Sequence, residues 1–153
     1  MQPSTPDPDL FDSLRRKRAE LRDAMSLLEM TLAAPPASSP ALWVERVRVA
    51  LADLADDLAG HIEITEAADG LYQDILATAP RLSGPVERLT AEHAEIGGLL
   101  ERVVGRVAAP GAAQDVAGIR DLGTSLLGKL ARHRQQGADL VFEAFETDIG
   151  GET

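Results

Sequence analysis

The chain contains no cysteine and few aromatic residues. Disulfides, thiolate-bound metal centres and cysteine nucleophiles are therefore excluded. Aromatic residues make up only 3 % of the 153 residues, and Ala and Leu are abundant. Because strands favour β-branched and aromatic side chains whereas helices favour Ala and Leu, this composition predicts an all-α protein.

Long apolar runs and an excess of positive charge are also missing. No run reaches the ~18–20 apolar residues of a membrane span, so we expect no contact with a membrane. The first residues, MQPSTPDPDL, are polar and rich in proline, unlike the apolar part of a signal peptide. The net charge of −10 repels phosphate and argues against nucleic acid as a partner. We expect one cytoplasmic domain, monomeric or homodimeric.

Four stretches of the chain share one pattern, in which apolar positions recur at intervals of four and three residues. Such a stripe is the buried face of a helix in a bundle. The stripes are Leu14, Arg18, Leu21, Met25, Leu28 and Leu32; Val47, Leu51, Leu54, Leu58, His61 and Thr65; Leu89, His93, Ile96, Leu100, Val103 and Val107; and Ile119, Gly123, Leu126, Leu130, His133 and Gly137. They predict an antiparallel up-down-up-down four-helix bundle.

The stripes are related in pairs, which indicates an internal duplication. A shift of 75 residues places the first stripe on the third, so that Arg18 falls on His93 without a gap. A shift of 72 residues places the second on the fourth, so that His61 falls on His133. We interpret this as two copies of one helical hairpin related by a pseudo-twofold axis.

The three histidines of the chain all lie on these stripes. At 1.5 Å per residue, Arg18 and His61 both lie roughly 24–30 Å from the turn that joins their helices. The second hairpin gives nearly the same count for His93 and His133. We therefore expect these four residues to form one polar layer, near the end of the bundle that carries the termini. The segment DGLYQDILATAP predicts a turn, a short helix that stops before Pro80, and a lid over this layer.

Histidines that converge in a bundle without competing thiolates are typical of an iron, zinc or copper site. Two acids are candidate further ligands, since Glu66 follows His61 by five residues and Asp139 follows His133 by six. We expect Glu63 and Glu92 to face solvent instead.

The motif EHAEI…LL at 92–100, and a histidine followed by a short helix of the type GLYQDIL, resemble hemerythrin-like (HHE cation-binding) domains. The resemblance covers about residues 10–147 and leaves tails at 1–9 and 148–153. It implies a four-helix bundle and, in complete members, a non-haem di-iron centre that binds dioxygen or performs redox chemistry.

The resemblance also implies an incomplete ligand set. His61, His93 and His133 match family ligand positions. Arg18 and Gly97 stand where the family has histidines, Thr65 stands where it has a carboxylate, and Gly137 lies near the position of a second carboxylate, with Asp139 two residues further along.

The leading hypothesis is a metal-binding protein with a reduced, mononuclear iron or zinc site that binds or senses metal or dioxygen. Arg18 then either pairs with Glu66 or Asp139 inside the bundle or extends to solvent. The small residues Thr65, Gly97 and Gly137 leave room for a small molecule, unless Gly137 is a helix end.

The alternative is a metal-free bundle that serves as a small-ligand or protein-interaction module, in which the polar layer is only hydrogen-bonded. An enzyme is less favoured, because the sequence offers no nucleophile and base beyond the polar layer.

Overall fold

The computed structural model describes residues 7–146 and 149, and within that part the chain is helical and has no strand. The helices are α1 Pro8–Ala33, α2 Pro40–Glu66, α3 Leu71–Thr78, α4 Ser83–Ala108 and α5 Val116–Phe145. Short 3₁₀ turns at Pro80–Leu82 and Ala112–Gln114 precede α4 and α5. The predicted all-α four-helix bundle with an extra short helix is confirmed. Most of the predicted tails at 1–9 and 148–153, namely residues 1–6, 148 and 150–153, lie outside the described residues.

The four long helices form two hairpins, α1 with α2 and α4 with α5. Contacts of α2 with α4 and of α1 with α5 close the ring of four. Helices α1 and α4 each have 26 residues, and their first and last residues are offset by the same 75 positions that relate their sequences. The duplication seen in the sequence is therefore also present in the lengths of α1 and α4.

Two apolar clusters fill the bundle, one on each side of the polar layer. The larger cluster lies toward the hairpin turns and includes Leu28, Leu54, Ile96 and Leu130. The smaller lies toward the termini and packs α3 against the ends of α1, α4 and α5. Burying one such side chain contributes about 1.5–3 kcal/mol. The polar layer is thus held between two well-packed regions, which restricts the side chains within it.

Glycine fits two tight places that shape the bundle. A Cβ atom on Gly123 would lie 2.7 Å from Leu32 Cδ1, so glycine permits the close approach of α5 to α1. A Cβ atom on Gly70 would lie 2.5 Å from the backbone oxygen of Ile64, so glycine permits the tight turn that leads into α3. By contrast, α5 continues through Gly137 to Phe145, which rules out a helix end at Gly137.

No helix in the described part of the chain combines the length and apolar character needed to cross a membrane.

Candidate metal centre

The three histidines meet in the interior of the bundle, each on a different helix. His93 and His133 are almost fully buried, with 4 % and 2 % of their surface exposed, and His61 is partly buried. One ring nitrogen of each residue lies within 4.8 Å of the other two. We call His61, His93 and His133 the histidine cluster. The core stripes predicted from the sequence carry these residues inward, because each occupies an inward-facing position between apolar neighbours.

The spacing of the rings fits a single metal ion. The ring centroids lie 5.2, 5.3 and 4.9 Å apart, which is nearly an equilateral triangle. The Nε2 atoms of His61 and His133 are 3.2 Å apart. Nitrogen ligands at 2.0–2.1 Å from a tetrahedral metal are separated by about 3.3–3.4 Å. For this pair, only a small outward movement of the two imidazoles would therefore be needed to admit an ion between them.

Two carboxylates contact two of the imidazole rings at Nδ1, on the outer side of the cluster. Glu66 accepts a hydrogen bond from His93 Nδ1 at 2.5 Å, and Glu92 accepts one from His133 Nδ1 at 2.8 Å. An ionised carboxylate can only accept, so Nδ1 carries the hydrogen in both histidines. When these imidazoles are neutral, both Nε2 atoms carry an electron pair and no hydrogen, which is the form that binds metal.

His61 is held as a neutral ring. Burial, together with the nearby His133, His93, Arg18 and Arg134, lowers the pKa of His61 to about 3. Burial also lowers the pKa of His133, although the hydrogen bond that His133 donates to Glu92 opposes this shift. Near pH 7 these two residues are therefore uncharged and can act as ligands.

Tyr72 on α3 covers the histidine cluster. Its ring stacks on His93 at a centroid distance of 5.9 Å and an angle of 14°, and its hydroxyl lies 3.4 Å from His93 Nε2. Burial raises the pKa of Tyr72, so the phenol stays protonated and can donate a hydrogen bond. The sequence predicts a lid here, although the prediction did not single out Tyr72. Tyr72 is the one tyrosine in the sequence and lies on the predicted short helix. These two facts could have indicated its role.

Glu92 was expected to face solvent, and this expectation was wrong. Its side chain is only 25 % exposed and reaches His133 on α5. One residue along a helix turns the side chain by about 100°, so Glu92 points toward α5 from its position beside the inward-facing His93. The adjacency of an acid to a buried histidine was the signal in the sequence.

Glu66 and Thr65 occupy different sides of α2. Thr65 is buried, and its hydroxyl donates to the backbone oxygens of His61 and Ile62 at 2.8 and 3.1 Å. Glu66 is rotated by about 100° from Thr65 and lies against the outer nitrogen of His93. The structure therefore places Glu66 behind a histidine and not among the ligand atoms of the cluster.

Asp139 lies outside the histidine cluster. It is exposed and accepts a hydrogen bond from Gln135 at 2.9 Å, one turn earlier on α5. Six residues after His133 correspond to about 240° of rotation around the helix, which explains why the two side chains point in different directions.

Arg18 is buried in the polar layer, on the side where α1 meets α5. It donates to the backbone oxygen of Arg134 at 3.4 Å, and Arg134 donates in return to the backbone oxygen of Arg18 at 3.4 Å. Glu66 and Asp139 instead accept hydrogen bonds from His93 and Gln135. The polar layer thus has a cationic side, formed by Arg18 and Arg134, and an acidic side near α4, formed by Glu66 and Glu92.

The space beside the polar layer is small. A cavity of about 20 Å³ is bordered by Arg18, His61, Thr65, Tyr72 and Gly137, which suffices for about one water molecule. A Cβ atom on Gly137 or on Gly97 would meet no atom within 4 Å. Of the small residues expected to leave room, Thr65 and Gly137 border this cavity, whereas Gly97 lies beside separate open space.

Comparisons with known proteins identify the family. The model of the hemerythrin HHE cation binding domain matches residues 9–145, which is nearly the whole chain. A search of curated proteins and a search of solved structures gave no match. The chain therefore belongs to the hemerythrin HHE cation-binding domain family, as the EHAEI…LL motif and the short helix of the type GLYQDIL had indicated.

Proposed function

We propose that the protein binds one transition-metal ion through His61, His93 and His133. The observation that carries the proposal is the convergence of a ring nitrogen from each residue to within 4.8 Å. Membership of a cation-binding family supports it independently. The carboxylates behind two of the rings add support, because metal-bound histidines commonly donate their second ring hydrogen to an acid.

Iron and zinc are the two candidate ions, and the donor set favours zinc. Imidazole suits both metals, but iron sites in helical bundles are usually completed by carboxylates. The cluster found in the described residues contains three histidines and no acid. Three histidines with one open position form a common zinc arrangement.

One ion fits this site better than two. Arg18 lies in the polar layer at the position that the duplication relates to His93. Together with Arg134 it exerts the positive potential that helps to lower the pKa of His61. A second cation on that side would be repelled by these guanidinium groups, which remain charged at all ordinary pH values.

The remaining coordination position is proposed to face the small cavity beside Thr65 and Tyr72. A bound ion would supply Lewis acidity or, in the case of iron, redox chemistry toward dioxygen. The chain itself excludes bulk water with α3 and places the protonated hydroxyl of Tyr72 near His93 Nε2. A water molecule or dioxygen matches the size of this cavity, and the corresponding role is metal or dioxygen binding or sensing.

The test is elemental analysis of protein produced without an affinity tag. We expect about one metal ion per chain, lost in His93→Ala but retained in Glu95→Ala, which changes an exposed residue on the same helix. Circular dichroism should show unchanged helicity in both variants. Two ions per chain would contradict the mononuclear site.

A metal-free binding or interaction module is the second candidate. The observation in its favour is that the His61–His133 contact and the two acid–histidine contacts already form a hydrogen-bonded network without an ion. If no iron, zinc or copper binds even after reconstitution, this alternative replaces the metal site.

A further inference from the structure

The acid–histidine contacts cross between helices in a specific way. Glu66 on α2 binds His93 on α4, and Glu92 on α4 binds His133 on α5. Glu92 is therefore adjacent in sequence to one member of the histidine cluster but serves another. Each carboxylate fixes the orientation of a ring that belongs to a different helix.

We infer that Glu66 and Glu92 are positioning residues of the metal site, which orient His93 and His133 with Nε2 inward and offset the charge of a bound divalent cation. This inference rests on the proposed function. It assigns the two acids to the outer side of the histidines, in place of the ligand role expected for Glu66.

The two acid–histidine contacts bear on the orientation of the rings. Rotation of an imidazole by 180° about its Cβ–Cγ bond exchanges the side that carries Nδ1 with a carbon atom, and it redirects the Nε2 electron pair. A short contact from Nδ1–H to a carboxylate anchors the ring against this rotation. It also fixes the hydrogen on Nδ1, so that Nε2 is left free for the ion.

The two carboxylates also supply negative charge. Three neutral imidazoles do nothing to offset the two positive charges of the ion, and Arg18 and Arg134 add positive charge near His61. The hydrogen-bond partner that the structure gives each of the two carboxylates is an imidazole and not a Lys or Arg side chain. Their negative charges are therefore placed to offset the charge of a cation between the three rings.

Glu66 occupies an unfavourable position in its helix. It is the last residue of α2, where the helix dipole disfavours a negative charge. An acid at this place is unfavourable for the helix itself. Its contact with His93 provides a reason for its presence that helix stability does not.

The experiment compares Zn²⁺ affinity among matched variants by competition with a chromophoric chelator. Glu66→Ala and Glu92→Ala should each weaken Zn²⁺ binding by about 10–100-fold, the usual effect of losing an outer partner of a metal-bound histidine. Glu66→Gln and Glu92→Gln keep a hydrogen-bond acceptor but lose the negative charge. Their Zn²⁺ affinity should lie between that of the Ala variants and that of the unchanged protein. Glu63→Ala and Glu95→Ala, which remove exposed acids from the same two helices, should bind like the unchanged protein.

A second readout does not depend on metal. In the metal-free protein, ¹⁵N shifts of the imidazoles should show hydrogen on Nδ1 and none on Nε2 for His93 and His133. Glu66→Ala should alter this state for His93 alone, and Glu92→Ala for His133 alone. A general structural effect would instead disturb all three histidines together.

The outcomes separate the inference from the proposed function. Two results would overturn the positioning roles alone. One is that the Ala and Gln variants of Glu66 and Glu92 bind Zn²⁺ as tightly as the unchanged protein. The other is that the ¹⁵N shifts of His93 and His133 do not change in these variants. Failure of the unchanged protein to bind Zn²⁺ or Fe²⁺ would overturn the proposed function, and the charge-offset role of the two acids with it.

Discussion

At the scale of single residues, the site depends on histidines that the protein keeps neutral. His61 is surrounded by low-polarity side chains, two other imidazoles and the cationic side of the polar layer, and all of these disfavour its protonation. Neutral rings are suitable ligands, but they make the folded state sensitive to acid. When the protein unfolds, each ring is free to take up a proton near its ordinary pKa.

The metal-free protein should therefore lose stability as the pH falls below about 6.5, the pKa of an unfolded-state histidine. The pKa of His61 is lowered to about 3 in the folded state, so between these values only the unfolded chain binds the proton. The expected loss from His61 alone is about 2 kcal/mol at pH 5 compared with pH 7.5. Urea unfolding at both pH values, in the presence of a chelator, measures it.

The control for this prediction is His61→Gln, which cannot titrate in this range. The free energy of unfolding of this variant should change less between pH 7.5 and pH 5 than that of the unchanged protein. Equal pH dependence of the two proteins would show that protonation of His61 does not contribute.

At the scale of helices, glycines that look alike in sequence have different surroundings. Gly97, Gly123 and Gly137 all lie inside long helices. A Cβ atom at Gly123 would meet Leu32, whereas the space beside Gly97 and Gly137 is open. At Gly97 and Gly137 an alanine would therefore only increase helix propensity. At Gly123 this gain would be opposed by the clash with Leu32.

Alanine substitutions at these glycines should separate the two effects. Gly97→Ala and Gly137→Ala should raise the free energy of unfolding by up to about 1 kcal/mol, the difference in helix propensity between the residues. The free energy of unfolding of Gly123→Ala should be lower than that of the other two variants by about 1–3 kcal/mol, because α1 and α5 must move apart or Leu32 must change rotamer. Urea unfolding of the three variants tests this order, and equal stabilities would contradict the close α1–α5 contact.

At the scale of the whole molecule, the histidine cluster draws on three helices, so an ion that binds it links α2, α4 and α5. Such a site exists only in the folded bundle. An ion that binds the folded but not the unfolded chain raises stability according to its concentration relative to the dissociation constant.

Zn²⁺ at 100 times its dissociation constant should stabilise the fold by about 2.7 kcal/mol. For a domain of this size that corresponds to a rise in Tm of about 5–11 °C. Mg²⁺ should produce no rise, because it prefers oxygen ligands. His133→Ala should abolish the response to Zn²⁺, and a response that survives this substitution would place the ion elsewhere.

Much of the fold follows from patterns within the sequence. The heptad-like spacing of apolar residues predicts four long helices, and the offset of 75 residues predicts the equal lengths of α1 and α4. The inward direction of His61, His93 and His133 follows from the same spacing, because a helix turns by a constant angle per residue. The helix α3 was predicted from the turn at Gly70 and the stop before Pro80.

By itself the sequence thus determined the helices, their inward faces and the meeting of the three histidines. Only the tertiary structure decided which carboxylate contacts which ring and that Tyr72 stacks on His93. The physical reason is that helix periodicity fixes the direction of a side chain around its own axis, whereas a contact between helices also depends on how each helix is rotated and shifted against its neighbours.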